Sequence, residues 1–95
     1  MITLEKDIEG YLKSRVEKLG GLALKLPASL YRGIPDRMIL LPGARVAFAE
    51  TKVPGEEPRG TQRYWHRILK GLGFKVFVPK TKEDVEAMLN EIRSA

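Results

Sequence analysis

The chain has 95 residues, 43% apolar and 31% charged, which fits a single small globular domain spanning 1–95 and excludes a disordered chain. It contains no cysteine, so disulfides and thiolate metal sites are excluded, and no apolar run approaches the roughly 18 residues that a membrane span needs. With 17 Lys and Arg against 12 Asp and Glu, the formal charge of +5 suits an anionic partner such as nucleic acid. The opening "MITLEKDIEG" is too acidic and polar for a signal peptide, so a cytoplasmic location is expected.

Thr3 is placed to cap a helix from Leu4, with Leu4, Ile8, Tyr11, Leu12, Val16 and Leu19 at helical spacing. "LGG" at 19–21 stops it, and "LALKL" (22–26) alternates as a short strand. "PASLYRGIP" (27–35) reads as a loop. "DRMILL" (36–41) and "ARVAFAETKV" (44–53) read as strands around a Pro42–Gly43 turn, and "PGEEPRG" (54–60) as an exposed loop. "TQRYWHRILKGLG" (61–73) predicts a helix with Tyr64, Trp65, Ile68, Leu69 and Leu72 inward. "KVFVP" (75–79) predicts a strand. A last helix follows, capped by Thr81 and Asp84, with Val85, Met88, Leu89 and Ile92 as its apolar stripe. The order is α-β-β-β-α-β-α, an α/β fold with a small mixed sheet flanked by helices. The strand–helix–strand crossover predicts a parallel pair.

The hairpin carries charge where a core should lie. Gly43 is seven residues from Asp36 and seven from Glu50, so the two carboxylates come out roughly opposite each other. Opposed residues sit about 4.5–5.5 Å apart at Cβ, where two carboxylates repel and one is pushed towards protonation. A hard divalent cation removes that conflict. Strand alternation puts Glu50 and Lys52 on one face, and the Thr51 carbonyl is available as a further oxygen ligand. Read separately, Glu50 and Lys52 fit an ion pair at a fraying strand end, and Asp36 fits turn chemistry after Pro35. Together they form a PD…ExK constellation.

"GIPDRMILLPGARVAFAETKVPGEEPRGTQRYWHRILKGLGFKVFV" resembles the VRR-NUC domain, the virus-type replication-repair nuclease branch of the PD-(D/E)XK superfamily. "GxPD", "ETK", the later "TQ" and the closing "GF" with its valines appear in the expected order, over nearly the whole chain. The resemblance is to compact stand-alone phage and bacterial members. It implies a restriction-endonuclease-like core and a metal-dependent, structure-selective endodeoxyribonuclease that hydrolyses phosphodiester bonds. It further implies Mg²⁺ or Mn²⁺ as cofactor, a branched DNA substrate such as a Holliday junction, and a homodimer in a bacterial or phage-infected cell. Asp36 and Glu50 match the metal-binding acids, Thr51 would offer its carbonyl, and Lys52 matches the catalytic lysine. The family's first-helix acid falls on Glu5 or Glu9, with Glu5 preferred. Gln62 matches a glutamine that helps orient the site or a phosphate. A catalytically silent DNA-binding dimer and a flap-type or nonspecific nuclease of the same superfamily are the alternatives.

Lys25, Tyr31, Arg32, Arg37, Arg59, Arg63 and Arg67 are candidate DNA contacts, with Arg63 and Arg67 on one helix face. His66, the single histidine, is expected at the surface or edge of its helix. Tyr64 and Trp65 are expected as core or dimer contacts rather than as a base-stacking platform.

Overall fold

The computed structural model describes residues 4–29 and 31–94, so Thr3 and its expected cap lie outside the described residues. Seven elements follow in the expected order: α1 (Glu5–Lys18), β1 (Leu22–Lys25), β2 (Arg37–Leu41), β3 (Arg45–Ala49), α2 (Gly60–Gly71), β4 (Lys75–Phe77) and α3 (Lys82–Ser94). The sheet order is β1-β2-β3-β4. The first two pairings are antiparallel and β3–β4 is parallel, as the α2 crossover requires. The β2–β3 hairpin closes at Leu41 and Arg45. Its turn takes in Ala44 as well as Pro42 and Gly43, with positive φ at both Gly43 and Ala44.

Side chains alternate across the sheet, which divides it into two faces. On one face Ala23, Ile39, Leu41, Ala47 and Ala49 form a single core with Ile8, Leu12 and Val16 of α1 and Val85, Met88, Leu89 and Ile92 of α3. Each fully buried Leu or Ile there contributes about 1.5–3 kcal/mol. A polar clamp ties the two helices together at its edge. The Arg15 guanidinium donates to both Glu86 carboxylate oxygens, at 2.7 and 3.2 Å, and the Tyr11 hydroxyl donates at 2.6 Å. These bonds, from Arg15 first and Tyr11 second, hold the Glu86 carboxyl down at about 2. The Thr81 cap is present too, its Oγ1 accepting from the Asp84 N–H at 3.0 Å.

The opposite face carries the cross-strand rows Leu22–Leu40–Val46 and Leu24–Met38–Phe48–Val76. α2 and the residues after it cover the β3–β4 side of this face, where Phe74 meets Phe48 edge-on at 5.5 Å. The β1 side stays open, with Leu22 55% and Leu24 43% exposed.

The inward face of α2 differs from expectation. Leu69 is buried as predicted, and Trp65 and Ile68 are half-buried, but Tyr64 and Leu72 are exposed and His66 is buried in their place. The helix lies over the end of the sheet from which Glu50 emerges, so a polar side chain occupies its inward position there.

Candidate active site

The β2–β3 register pairs Arg37 with Ala49, so one step further Asp36 faces Glu50. Glu50 and Lys52 lie beyond the last residue of β3, yet the ladder to the β4 side continues. The Glu50 N–H donates to the Phe77 carbonyl at 3.0 Å, and the Lys52 N–H to the Pro79 carbonyl at 3.2 Å. Residues 50–52 therefore keep strand-like alternation, with Glu50 and Lys52 on one side and Thr51 on the other. This is where the sequence places them.

Asp36 is delivered by a pinned loop. Pro35 is fully buried, and the Ile34 N–H donates to the Tyr31 carbonyl at 3.1 Å. The Trp65 indole N–H donates to the Arg32 carbonyl at 3.0 Å, and Tyr31 packs edge-on against Trp65. Trp65 thus joins the loop to α2, which gives it a positioning role the sequence did not reveal. Gly33, at φ +90°, allows this approach, since a Cβ there would fall 2.6 Å from the Thr61 backbone. Gly33→Ala combines left-handed strain with a backbone clash and is expected to cost about 2–4 kcal/mol. A urea melt checks it; an unchanged midpoint contradicts the close approach.

The electrostatics centre on Glu50, which is 1% exposed. Both of its carboxylate oxygens, the Thr51 Oγ1 and the His66 Nε2 are buried without a hydrogen-bond partner among the described residues. Desolvation pushes the Glu50 carboxyl up to about 7; Lys52 opposes this, while Asp36 and Glu5 add to it. Desolvation also raises Asp36, reinforced by Glu9 and opposed by the Thr51 backbone N–H, Lys52 and Lys25. Glu5 is raised as well, by desolvation and then by Asp36. Glu5, Asp36, Glu50 and Lys52 therefore form one coupled group, which Glu9 joins through its effect on Asp36 and Glu5, with more carboxylate than one lysine can balance.

Glu9 has a different partner. Its Oε1 accepts from Arg37 Nη2 at 2.8 Å and Nε at 3.1 Å, with Lys25 Nζ at 3.7 Å. Arg37, expected as a DNA contact, is instead largely buried in this ion pair and also donates to the Ala23 carbonyl at 2.9 Å. It faces α1 because it shares the inner side of β2 with Ile39 and Leu41. Gln62 accepts the Arg59 N–H at 2.7 Å as a helix cap, so only its amide nitrogen remains to offer a phosphate. His66 is not a surface residue: it is 8% exposed, with Nε2 3.5 Å from Glu50 Oε1. Burial, then Lys70 and Lys52, lowers its pKa, so the imidazole is neutral at pH 7.

Lys25, Tyr31, Arg32, Arg59, Arg63 and Arg67 are exposed. Arg63, Arg67 and Lys70, with Pro58, line a groove that runs to His66. The exposed stretch 54–57 is tethered by an ion pair between Glu57 and Lys80. Among the described residues no three Asp, Glu, His or Cys side chains converge closely enough to hold an ion by themselves. An ion here would draw on two carboxylates and main-chain oxygen. The orphaned buried oxygens of Glu50 fit that demand, because a buried carboxylate is stable only when paired, protonated or bound to a cation.

No protein-family model matches the chain. It is 43% identical over 74 residues to the protein named "Putative nuclease p44" of Acyrthosiphon pisum secondary endosymbiont phage 1, covering 78% of this chain and 80% of that protein. A solved structure titled "VRR_NUC domain" superposes with a TM-score of 0.84 at 31% identity, covering 90% of this chain and 94% of that one.

Proposed function

The chain belongs to the VRR-NUC nuclease family, and from that membership we propose that residues 1–95 form one divalent-metal-dependent endodeoxyribonuclease domain. It acts on branched DNA such as four-way junctions, as a homodimer, in the cytoplasm of a bacterial or phage-infected cell. The observation that carries this reading is Glu50, a fully buried carboxylate beside Asp36 and Lys52 with no hydrogen-bond partner for either oxygen among the described residues.

Asp36, Glu50 and the Thr51 carbonyl would hold Mg²⁺ or Mn²⁺, with Glu5 as the outer acid because Glu9 is engaged by Arg37. When bound, such an ion would supply an acidified water and countercharge for the phosphate. Lys52, on the same side as Glu50, orients the attacking water and stabilises charge that develops on the phosphorus oxygens. The cationic groove of Arg63, Arg67 and Lys70 supports a path for the DNA backbone, with Arg59 and Lys25 as further phosphate contacts and Tyr31 and Arg32 at the loop. No helix among the described residues is long and apolar enough to cross a membrane.

The open β1–β2 face supports the dimer. Leu22 and Leu24 stand beside half-buried Met38, Leu40 and Val46, an apolar strip three strands wide. Contiguous apolar surface of this kind marks an interaction site. Leu24→Glu is expected to convert a dimer to a monomer in sedimentation velocity at micromolar concentration; an unchanged sedimentation coefficient removes this face from the interface.

The function is tested with labelled four-way junction, flap and linear duplex in Mg²⁺, Mn²⁺ or EDTA. Cutting that needs metal and ranks the junction first is the expected result. Binding without cutting in either metal would make the protein a catalytically silent DNA-binding module.

A further inference from the structure

His66 is the one polar side chain among the buried residues of α2, and no hydrogen bond satisfies its Nε2. The atom nearest to relieving that is Glu50 Oε1, at 3.5 Å, itself unpartnered and buried. Buried polar atoms without partners are rare in native proteins, and here two face each other across a gap slightly longer than a hydrogen bond. We infer that His66 is a positioning residue for Glu50: its Nε2–H donates to Oε1, fixing the carboxylate plane and leaving Oε2 to face the ion.

This inference rests on the metal-site reading above. It gives His66 no contact with the ion or the DNA. The surroundings support it. His66, 8% exposed, and Glu50, 1% exposed, are enclosed together, away from solvent that could satisfy either atom. Gln62, His66 and Lys70 recur four residues apart, and Gln62 fixes the start of the helix through its cap on Arg59. The imidazole is thus held on a rigid element, as an outer partner that orients a ligand must be.

The test uses the full chain. Mn²⁺ titration calorimetry compares wild type, His66→Leu and His66→Gln, the last placing an amide N–H near the position of Nε2. His66→Leu is expected to weaken Mn²⁺ binding about 10–100-fold, the range seen when outer partners of metal ligands are removed, and His66→Gln to restore most of it. Electron spin-echo spectroscopy of the wild-type Mn²⁺ complex is expected to show no directly coordinated imidazole nitrogen. Wild-type affinity in His66→Leu overturns the inference, and so does a coordinated nitrogen, which would make His66 a ligand. Should His66→Leu fail to fold, ¹⁵N spectra of the metal-free wild type decide: the proton is expected on Nε2, and the opposite tautomer overturns the proposal. Absence of any Mn²⁺ binding by the wild type would instead remove the metal reading itself, and His66's role with it.

Discussion

Glu50→Gln is expected to abolish metal-dependent cleavage and, at the same time, to make the metal-free protein more stable. The two effects share one cause. Glu50 titrates near 7 in the fold and near 4.5 when the chain is unfolded, so the folded state retains a proton that the unfolded state has lost between those values. Its contribution to stability therefore falls as pH rises from 4.5 to about 7 and stays low above that. A neutral glutamine of the same shape has no such penalty. Lys52 loses a partner in this variant but keeps the Asp36 carboxylate within electrostatic reach, which limits the gain. The net is about 1–2 kcal/mol at pH 7.5, or roughly 4–16 °C in the melting temperature of a domain this size. At pH 5 the difference should shrink, because wild-type Glu50 is then largely protonated. His66, whose lowered pKa makes stability rise with pH, opposes this slope in the wild type. A variant no more stable than wild type at pH 7.5, in chelator, contradicts the isolation of Glu50. Such a trade of stability for function is common where a site holds an uncompensated charge.

Lys52→Met separates catalysis from metal binding. Methionine matches the lysine stem in length and suits a position that is only 9% exposed, so no void opens. Without the ammonium, Asp36, Glu50 and Glu5 lose their shared countercharge, and their carboxyls rise further. At saturating Mn²⁺ the ion replaces that countercharge, and binding at pH 8 is expected to survive. Turnover is expected to fall about 10²–10³-fold, the cost of removing one donor aimed at developing charge. Single-turnover cleavage at saturating Mn²⁺ measures it. Wild-type turnover would make Lys52 a structural counterion only.

The element order, the hairpin register and the convergence of Asp36, Glu50 and Lys52 were legible because they rest on local rules. Alternation puts Glu50 and Lys52 on one side, and the symmetric turn sets Asp36 opposite Glu50. What required the fold was the choice among partners. Glu5 and Glu9 are one helical turn apart and equivalent in sequence. Only the fold brings Arg37, from the inner side of β2, onto Glu9, and of the two acids only Glu5 acts on Glu50 directly. Arg37 read as a phosphate contact for the same reason: its exposure depends on which face of the sheet α1 covers. The face of α2 differs from its apolar pattern because the surface it packs on is not wholly apolar. The surface beneath it includes a buried carboxylate, and the residue facing that carboxylate is His66. A lone histidine four residues after a capping glutamine gives no periodic signal of this. The loop function of Trp65 was equally hidden, since its hydrogen bond crosses 33 residues of chain.

The most direct measurement is an anomalous difference map from crystals grown in Mn²⁺. A peak is expected about 2–2.5 Å from carboxylate oxygens of both Asp36 and Glu50 and from the Thr51 carbonyl, the range for a hard divalent ion on oxygen ligands. A map with no peak between these residues, in crystals where Mn²⁺ is bound elsewhere, would contradict the assignment of the buried carboxylates to a metal site.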